Sequence, residues 1–398
     1  MRLLSTELAR VGRSCSKSSA TIHSAWWSKN GPPMNQTRSS CRRVGPLTLL
    51  AVLYGSASGC FGAEPPLQEV VLPDRVDFVR AMHVGETLHV IYAKDKRCFY
   101  RRGTPASLRE PLAVDREGPE VIVGGERGPW LHATEDSLLV MWQARGGLHL
   151  VRSNDRGQTW ARVRVSNRAE GVDMPALIGG PRNRVYVVWV DGRDGKRAGD
   201  NVASELYMAT STDGGQTFGQ DVKLTKRAPG VCPCCQPALA IDADGKLWIS
   251  YRSSERNRKE IQLLRVDRGR VTVAQVSNDE WEFNGCPMAG PSLAIAGQGK
   301  SLAAVVAWRK DQDVQAASTL RGPSRFGAPE RLGRGRYYAT AVDGEGHLLL
   351  LWDEGRQTGY RELWEGGRSE RLDQAPAGFL LGLPGGGFLR IRGREEAR

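Results

Sequence analysis

Ser153-Asn154-Asp155-Arg156-Gly157-Gln158-Thr159-Trp160 and Ser211-Thr212-Asp213-Gly214-Gly215-Gln216-Thr217-Phe218 decide how this chain folds. Both read Ser-x-Asp-x-Gly-x-Thr-aromatic, and one tight hairpin explains every residue type in the run. The Ser and Asp side chains hydrogen-bond the turn backbone, and Gly157 and Gly215 permit positive φ. Trp160 and Phe218 then pack each turn onto its sheet. The two copies begin 58 residues apart, which points to a repeated unit.

A second pattern recurs around them: a short apolar strand, a tight turn with Gly or Asp, then a strand ending in an aromatic. It appears as Phe78–Tyr92, Trp130–Trp142, Met174–Trp189, Gln236–Tyr251, Pro291–Trp308 and Tyr337–Trp352, with starts separated by 52, 44, 62, 55 and 46 residues. Phe379–Ile391 is a seventh, degenerate copy without its aromatic. Between these hairpins lie further strand pairs, such as Leu206–Ala209 with Val222–Leu224, and Ile261–Val266 with Val271–Val276. The two Ser-x-Asp turns join third strands to fourth strands, and Ser318–Phe326 occupies the same place in the fifth unit as a decayed copy. Four strands per unit and a period of roughly 40–60 residues predict propeller blades. The expected fold is all-β, a single β-propeller of six or seven blades over residues 67–393, with Val70-Val71-Leu72 closing the ring as an outer strand of the last blade. A β-sandwich would not explain the repeated hairpin.

Composition agrees: Gly is 47 of 398 residues, Trp (11) outnumbers Phe (8), and helical periodicity is scarce. The formal charge of +12 belongs largely to the N-terminus, where residues 1–59 hold eight Lys/Arg and one Glu. The remainder has 48 basic and 43 acidic residues, which removes most of the case for a nucleic-acid partner. Val44–Tyr54 is an apolar run preceded by Arg38, Arg42 and Arg43 and followed by Ser56-Ala57-Ser58-Gly59-Cys60. That is a secretory signal, too short to span a bilayer. Ala57-Ser58-Gly59-Cys60 resembles a bacterial lipobox, which makes Cys60 the lipidation site, residues 34–59 the signal and 60–66 a linker. Residues 1–33 fit neither signal nor fold and read as a mis-called extension upstream of Met34, and 394–398 as a tail. The expected location is the bacterial cell envelope, the periplasm or the exterior.

Antiparallel connectivity sorts residues by face. The start of each first strand, the end of each second strand and the loop into the third share one face, and the Ser-x-Asp turns lie on the other. Just after the aromatic closing strand two come Arg145, Arg193, Arg252, Arg309 and Arg356, with Arg80 near the start of the first inner strand. Together they predict a positive mouth able to hold carboxylate or phosphate.

The two octets resemble the Asp box, or bacterial neuraminidase repeat, of sialidase-type propellers. In that family three Arg grip the sugar carboxylate, a Tyr paired with Glu is the nucleophile, and an Asp is the acid/base, an exception to two-carboxylate glycoside hydrolysis. The resemblance covers most of residues 75–360. Gln236-Pro237 running to Tyr251-Arg252 is similar to the Glu-Pro stretch that ends in the second Arg, with Gln236 in place of the Glu. Gln cannot accept a proton from Tyr, which weakens that mechanism. Arg309 falls near the third Arg. Tyr337-Tyr338 followed by Asp343-Gly344 is similar to the nucleophile segment, Tyr337 keeping the spacing best. Phe78-Val79-Arg80-Ala81 is a loose echo of the first-Arg motif, and Val172-Asp173-Met174-Pro175-Ala176-Leu177 has its frame with Asp for Arg. The resemblance implies Asp95 as acid/base by position, and makes Ser153, Asp155, Gly157, Thr159, Trp160, Ser211, Asp213, Gly215, Thr217 and Phe218 structural.

Cys98, Cys232, Cys234, Cys235 and Cys286 remain after the N-terminal cysteines. The loops bearing Cys232–Cys235 and Cys286 lead into neighbouring inner strands on the Arg-bearing face, and Cys98 is assigned to that face as well. In an oxidising compartment these pair as disulfides; soft thiolates also suit Cu(I) or Zn, though the spacing matches no common zinc pattern. The sequence therefore predicts a monomeric, exported, sialidase-like propeller without cofactor that recognises an anionic glycan and hydrolyses terminal sialic acid. The alternative is a non-catalytic propeller lipoprotein binding glycan or protein through the same face, touching the membrane only through its lipid.

Overall fold

The computed structural model describes residues 67–166, 171–193, 204–225, 229–255, 257–297, 299, 302–319, 325–354, 357–363 and 378–394. The expected extension and signal segment, the linker to residue 66, Cys60, Arg356, the centre of Ser318–Phe326 and nearly all of the tail lie outside them. Seven sheets succeed one another along the described chain, and no α-helix interrupts them. Their first strands are Phe78–Val84, Trp130–Ala133, Val172–Gly180, Ala238–Ile241, Ser292–Ala296, Tyr338–Val342 and Phe379–Gly382. Each touches the next in sequence order and the last touches the first. The chain is thus a closed β-propeller, and the degenerate seventh repeat, Phe379–Gly382 with Phe388–Arg392, forms a sheet of its own.

Closure comes from the N-terminal end of the described chain. Leu67–Val71 pairs in parallel with Phe388–Arg392, and Leu72 N–H donates to the Arg392 carbonyl at 2.8 Å. Glu69 fixes this seam by accepting from Arg390 at 2.9 Å and Arg392 at 2.8 Å. Closure removes the free strand edges that would otherwise invite pairing with another chain.

The core lies between blades. Both faces of each sheet are covered by neighbours, so second strands such as Leu138–Trp142 are buried at every position rather than at alternate ones. Ile91 of blade 1 meets Val140 and Trp142 of blade 2, and Trp248 of blade 4 meets Ile295 and Trp308 of blade 5. The aromatics that end the second strands, Tyr92, Trp142, Trp189, Tyr251, Trp308 and Trp352, are all buried. A buried indole needs a partner for its N–H. Trp142 Nε1 donates to the Pro119 carbonyl at 3.1 Å, Trp189 Nε1 to Asp191 Oδ2 at 2.9 Å, and Trp308 Nε1 to Asp279 Oδ2 at 2.9 Å.

The two octets form one and the same turn. Ser153 Oγ accepts from Gly157 N–H at 2.8 Å and donates to Asp155 Oδ1 at 2.7 Å, which also accepts from the N–H groups of Gln158 and Thr159. Ser211, Asp213, Gly215, Gln216 and Thr217 repeat this bond for bond. Hydrogen bonds from Thr159 and Thr217 hold Asp155 and Asp213 well below the usual carboxylate range. Gly215 has φ of 81°, and a Cβ there would stand 2.3 Å from Leu139 of the preceding blade. The turns therefore also register one blade on the next, and neither borders the central cavity.

Ser211 is buried and is the acceptor for the Gly215 N–H. Ser211→Ala should cost about 1–3 kcal/mol in chemical denaturation, the range for orphaning a buried donor, while leaving ligand binding at the opposite face unchanged.

Candidate functional site

The channel mouth opens into a cavity of about 680 Å³ lined by the starts of six inner strands and loops leading into them. Of the sequence candidates, Arg80, Gln236, Arg309, Tyr337 and Tyr338 border it. Glu126, Trp130 and Arg336 border it as well, and Glu126 is its sole carboxylate among the described lining residues.

Glu126 sits in the glycine-flanked loop Gly124-Gly125-Glu126-Arg127-Gly128 before blade 2. Its Oε2 accepts from the N–H of Gln236 at 2.9 Å and its Oε1 from that of Gly290 at 2.6 Å. Glycine is required at two of these approaches: a Cβ at Gly290 would lie 2.0 Å from the Gln236 carbonyl oxygen, and one at Gly128 would lie 2.1 Å from the Phe78 ring. Burial pushes the Glu126 carboxyl up from its ordinary value, against the pull of both N–H bonds and the charges of Arg252 and Arg309.

Arg80 is the counterpart. Its guanidinium lies 3.4 Å from the Trp130 ring centroid and 4.8 Å from that of Phe78, and its Nε has no hydrogen-bond partner. Burial pulls its pKa down to about 9, with the Glu126 charge opposing. Arg309 donates from Nη2 to the Pro287 carbonyl at 2.6 Å and likewise leaves Nε unpartnered. Both guanidiniums thus border one cavity beside a carboxyl group driven toward its neutral form, each with a buried Nε that no protein acceptor meets.

The remaining candidates fall into different places. Arg252 lies beneath the cavity, with Nε on the Ala289 carbonyl at 3.0 Å and Nη2 on the Arg309 carbonyl at 2.8 Å. Arg145 is exposed on a two-residue turn, and Arg193 is held by Asp191 at 2.6 Å and Asp221 at 2.9 Å over the Tyr207 ring. Neither borders the cavity, so the expected five-Arg ring is not formed by these residues. The reason is offset: Arg252 and Arg309 follow the closing aromatic directly and remain in the strand, whereas Arg145 and Arg193 lie three and four residues beyond it.

Asp95 does not reach the site either. It has φ of 52° in the tight Asp95-Lys96 turn, is exposed, and its N–H donates to Asp77. Gln236 is a tie between blades, since Nε2 donates to the carbonyls of Met174 and Pro175, both at 2.9 Å. A glutamate could not make those bonds, which explains the amide here. Tyr337 is 59% exposed at the rim, whereas Tyr338 is half-buried and donates its hydroxyl to the Gly290 carbonyl. Burial and the Glu126 charge push the Tyr338 hydroxyl pKa up. The less exposed tyrosine of the pair is the second, not the one favoured by spacing.

Cys234 and Cys286 are joined, linking the loop before blade 4 to that before blade 5. Cys232 and Cys235, also disulfide candidates, are free thiols with sulfurs 3.5 Å apart. The hydrogen bond from Cys235 pulls the Cys232 pKa down, aided by the charges of Lys259 and Arg252, while burial pushes Cys235 up. Cys98 is a free thiol in the core between blades 1 and 2, packed with Tyr100 and Val114, so it does not join the others.

Among solved structures the chain is similar to the α-L-arabinanase of Penicillium chrysogenum complexed with arabinobiose. The two share 13% identity over 74% of this chain and 94% of that one, with a TM-score of 0.50. It is also similar to the GH93 α-L-arabinofuranosidase of Fusarium graminearum (14% identity, 72% and 91% coverage, TM-score 0.48) and to a protein of unknown function from Dyadobacter fermentans (13%, 79% and 89%, TM-score 0.47). At these identities the likeness is one of propeller fold. No protein-family model matches the chain, and no curated protein does.

Because its folded-state pKa is raised, Glu126 binds its proton more tightly in the native chain than in the unfolded one. Its contribution to stability therefore falls as pH rises from the ordinary value of 4.5 toward the raised one. Denaturant midpoints measured from about pH 4 to 7 should show wild type losing ground to Glu126→Gln over that interval. A pH-independent difference between the two would contradict this assignment.

Proposed function

We propose that the cavity binds the carboxylate-bearing sugar of an anionic glycan, a sialic acid or a hexuronate. The observation that carries the reading is the pair Arg80 and Arg309, two guanidiniums with unpartnered Nε atoms at one cavity beside Glu126. A bound carboxylate would accept from the terminal N–H groups of these guanidiniums and favour the charged form of Arg80. Trp130 and Phe78 add the aromatic surface on which a sugar ring packs, and Arg336 adds charge at the rim. The arabinobiose held by the similar arabinanase, a neutral sugar, supports the carbohydrate part of this reading.

The catalytic version of this reading is exo-α-sialidase-type hydrolysis. Tyr338 would attack the anomeric carbon as the glycosidic bond breaks and pass its proton to ionised Glu126, which would hand it to the leaving aglycone oxygen. Water would then cleave the sugar–tyrosine bond, giving the free sugar and the tyrosine hydroxyl. One observation favours binding without turnover: the Tyr338 hydroxyl is committed to the Gly290 carbonyl and must leave it before it can meet Glu126. The envelope location and lipid anchor expected from Cys60 belong to this proposal too, placing the cavity where extracellular glycans are met.

Calorimetric titration with N-acetylneuraminic acid and with glucuronic acid tests the binding claim. Arg80→Met and Arg309→Met should each weaken the preferred acid roughly tenfold to a hundredfold, as expected for losing a charged hydrogen bond. Binding should also decline as pH rises through about 9, where Arg80 loses its charge. Unchanged affinity in both variants would overturn the site. A fluorogenic sialoside separates the two versions: turnover abolished by Tyr338→Phe supports hydrolysis, and tight binding without turnover supports the lectin-like reading.

A further inference from the structure

The glycan reading leaves the sulfur cluster unused. Cys232, Cys234 and Cys235 are buried with sulfurs all within 4.8 Å of one another, and Cys286 is one bond away through Cys234. Cys232 Sγ lies 3.8 Å from Cys234 Sγ and 3.5 Å from Cys235 Sγ. The edge of a tetrahedron with Zn–S bonds of about 2.3 Å is about 3.8 Å. The Val231–Gln236 loop therefore already spaces its sulfurs for a single tetrahedral ion.

Charge around the cluster points the same way. Lys259 and Arg252 are both buried and both act on Cys232. Lys259 Nζ donates to Ser254 Oγ at 2.6 Å, and Arg252 donates to two backbone carbonyls. Neither forms an ion pair with a carboxylate among the described residues, and the Glu126 and Asp279 carboxyls whose fields reach Arg252 are themselves pushed toward neutrality by burial. Buried cations without counter-charge are costly. Four thiolates around one divalent ion carry a net charge of about −2, which balances this pair. Cys286 supplies the access route: it is exposed and borders a second cavity of about 700 Å³ with Trp281, Asp311 and Arg336.

We propose that Cys232, Cys234, Cys235 and Cys286 form a redox-gated tetrathiolate site for one Zn²⁺, of which the Cys234–Cys286 disulfide is the oxidised, metal-free state. Opening the site takes two electrons from a small-thiol reductant: two RSH reduce the disulfide to two cysteine thiols and leave as RSSR. Binding then releases four protons as four thiols become ligands to Zn²⁺.

The test uses the full chain, reduced with a small thiol without oxygen, desalted, and titrated with Co²⁺ and then Zn²⁺. One tetrahedral Co²⁺ per chain should appear with thiolate charge-transfer absorption, be displaced by one equivalent of Zn²⁺, and be absent before reduction. Cys98→Ser should leave the signal intact, and Cys232→Ser or Cys235→Ser should abolish it. Lys259→Met, checked for folding by circular dichroism, should weaken the metal roughly tenfold or more. A reduced, folded chain that takes up neither ion overturns the proposal, as does a signal that survives both Cys232→Ser and Cys235→Ser. Peptide mapping that finds a Cys232–Cys235 bond persisting beside Cys234–Cys286 after thiol treatment overturns it as well.

Discussion

The centre of this propeller depends on one half-buried carboxyl group. Glu126 reaches from the loop before blade 2 across to the backbone of Gln236, before blade 4, and of Gly290, before blade 5. These partners are 110 and 164 residues away in the chain. Each N–H stands at the start of an inner strand and would otherwise be an orphaned buried donor. The inner strands of a propeller contact only their neighbours, so a side chain spanning nonadjacent blades sets the width of the channel mouth. Gln236 extends the tie by donating to Met174 and Pro175 of blade 3.

That tie also creates the chemistry. Burying a carboxylate is tolerable only beside positive charge, and Arg252 and Arg309 supply it from the ends of two second strands. Arg252 commits Nε and Nη2 to backbone carbonyls, whereas Arg309 and Arg80 border the cavity with Nε atoms that no protein group accepts. One cluster therefore stabilises the ring and leaves an incompletely satisfied positive face. In the proposed reading, an anion entering there would accept from the terminal N–H groups of Arg80 and Arg309. The two Ser-x-Asp turns contribute by holding blades 2 and 3 in register.

Much of this architecture was legible in the residues. The octets, the recurring hairpin and the closing aromatics each report local geometry, and local geometry survives in sequence. The closing strand was visible as Val70-Val71-Leu72, because an apolar run before the first repeat has one sheet left to join, whereas its extent, Leu67–Val71, and its parallel pairing were not. The site was legible only in part. Arg80, Arg309 and the Tyr337-Tyr338 pair could be placed from strand order, but Asp95, Arg145 and Arg193 could not. Their distance past the strand end, not their face, decides whether they reach the channel. Glu126 carried a faint signal, an acid among glycines in a loop leading to an inner strand. Its meaning rests on backbone partners far away in sequence, and no residue pattern encodes those. Gln236 looked like a lost catalytic acid until its amide was seen donating to two carbonyls.

The central claim is that unsatisfied guanidinium donors around Glu126 make the cavity selective for a sugar carboxylate. Its most direct measurement is a calorimetric comparison of wild-type protein with N-acetylneuraminic acid and glucuronic acid against their methyl esters. The account predicts that at least one acid binds roughly tenfold or more tightly than its ester, the cost of removing a charge from an Arg-lined site. Equal affinity for acid and ester, or no binding of either acid, would contradict it.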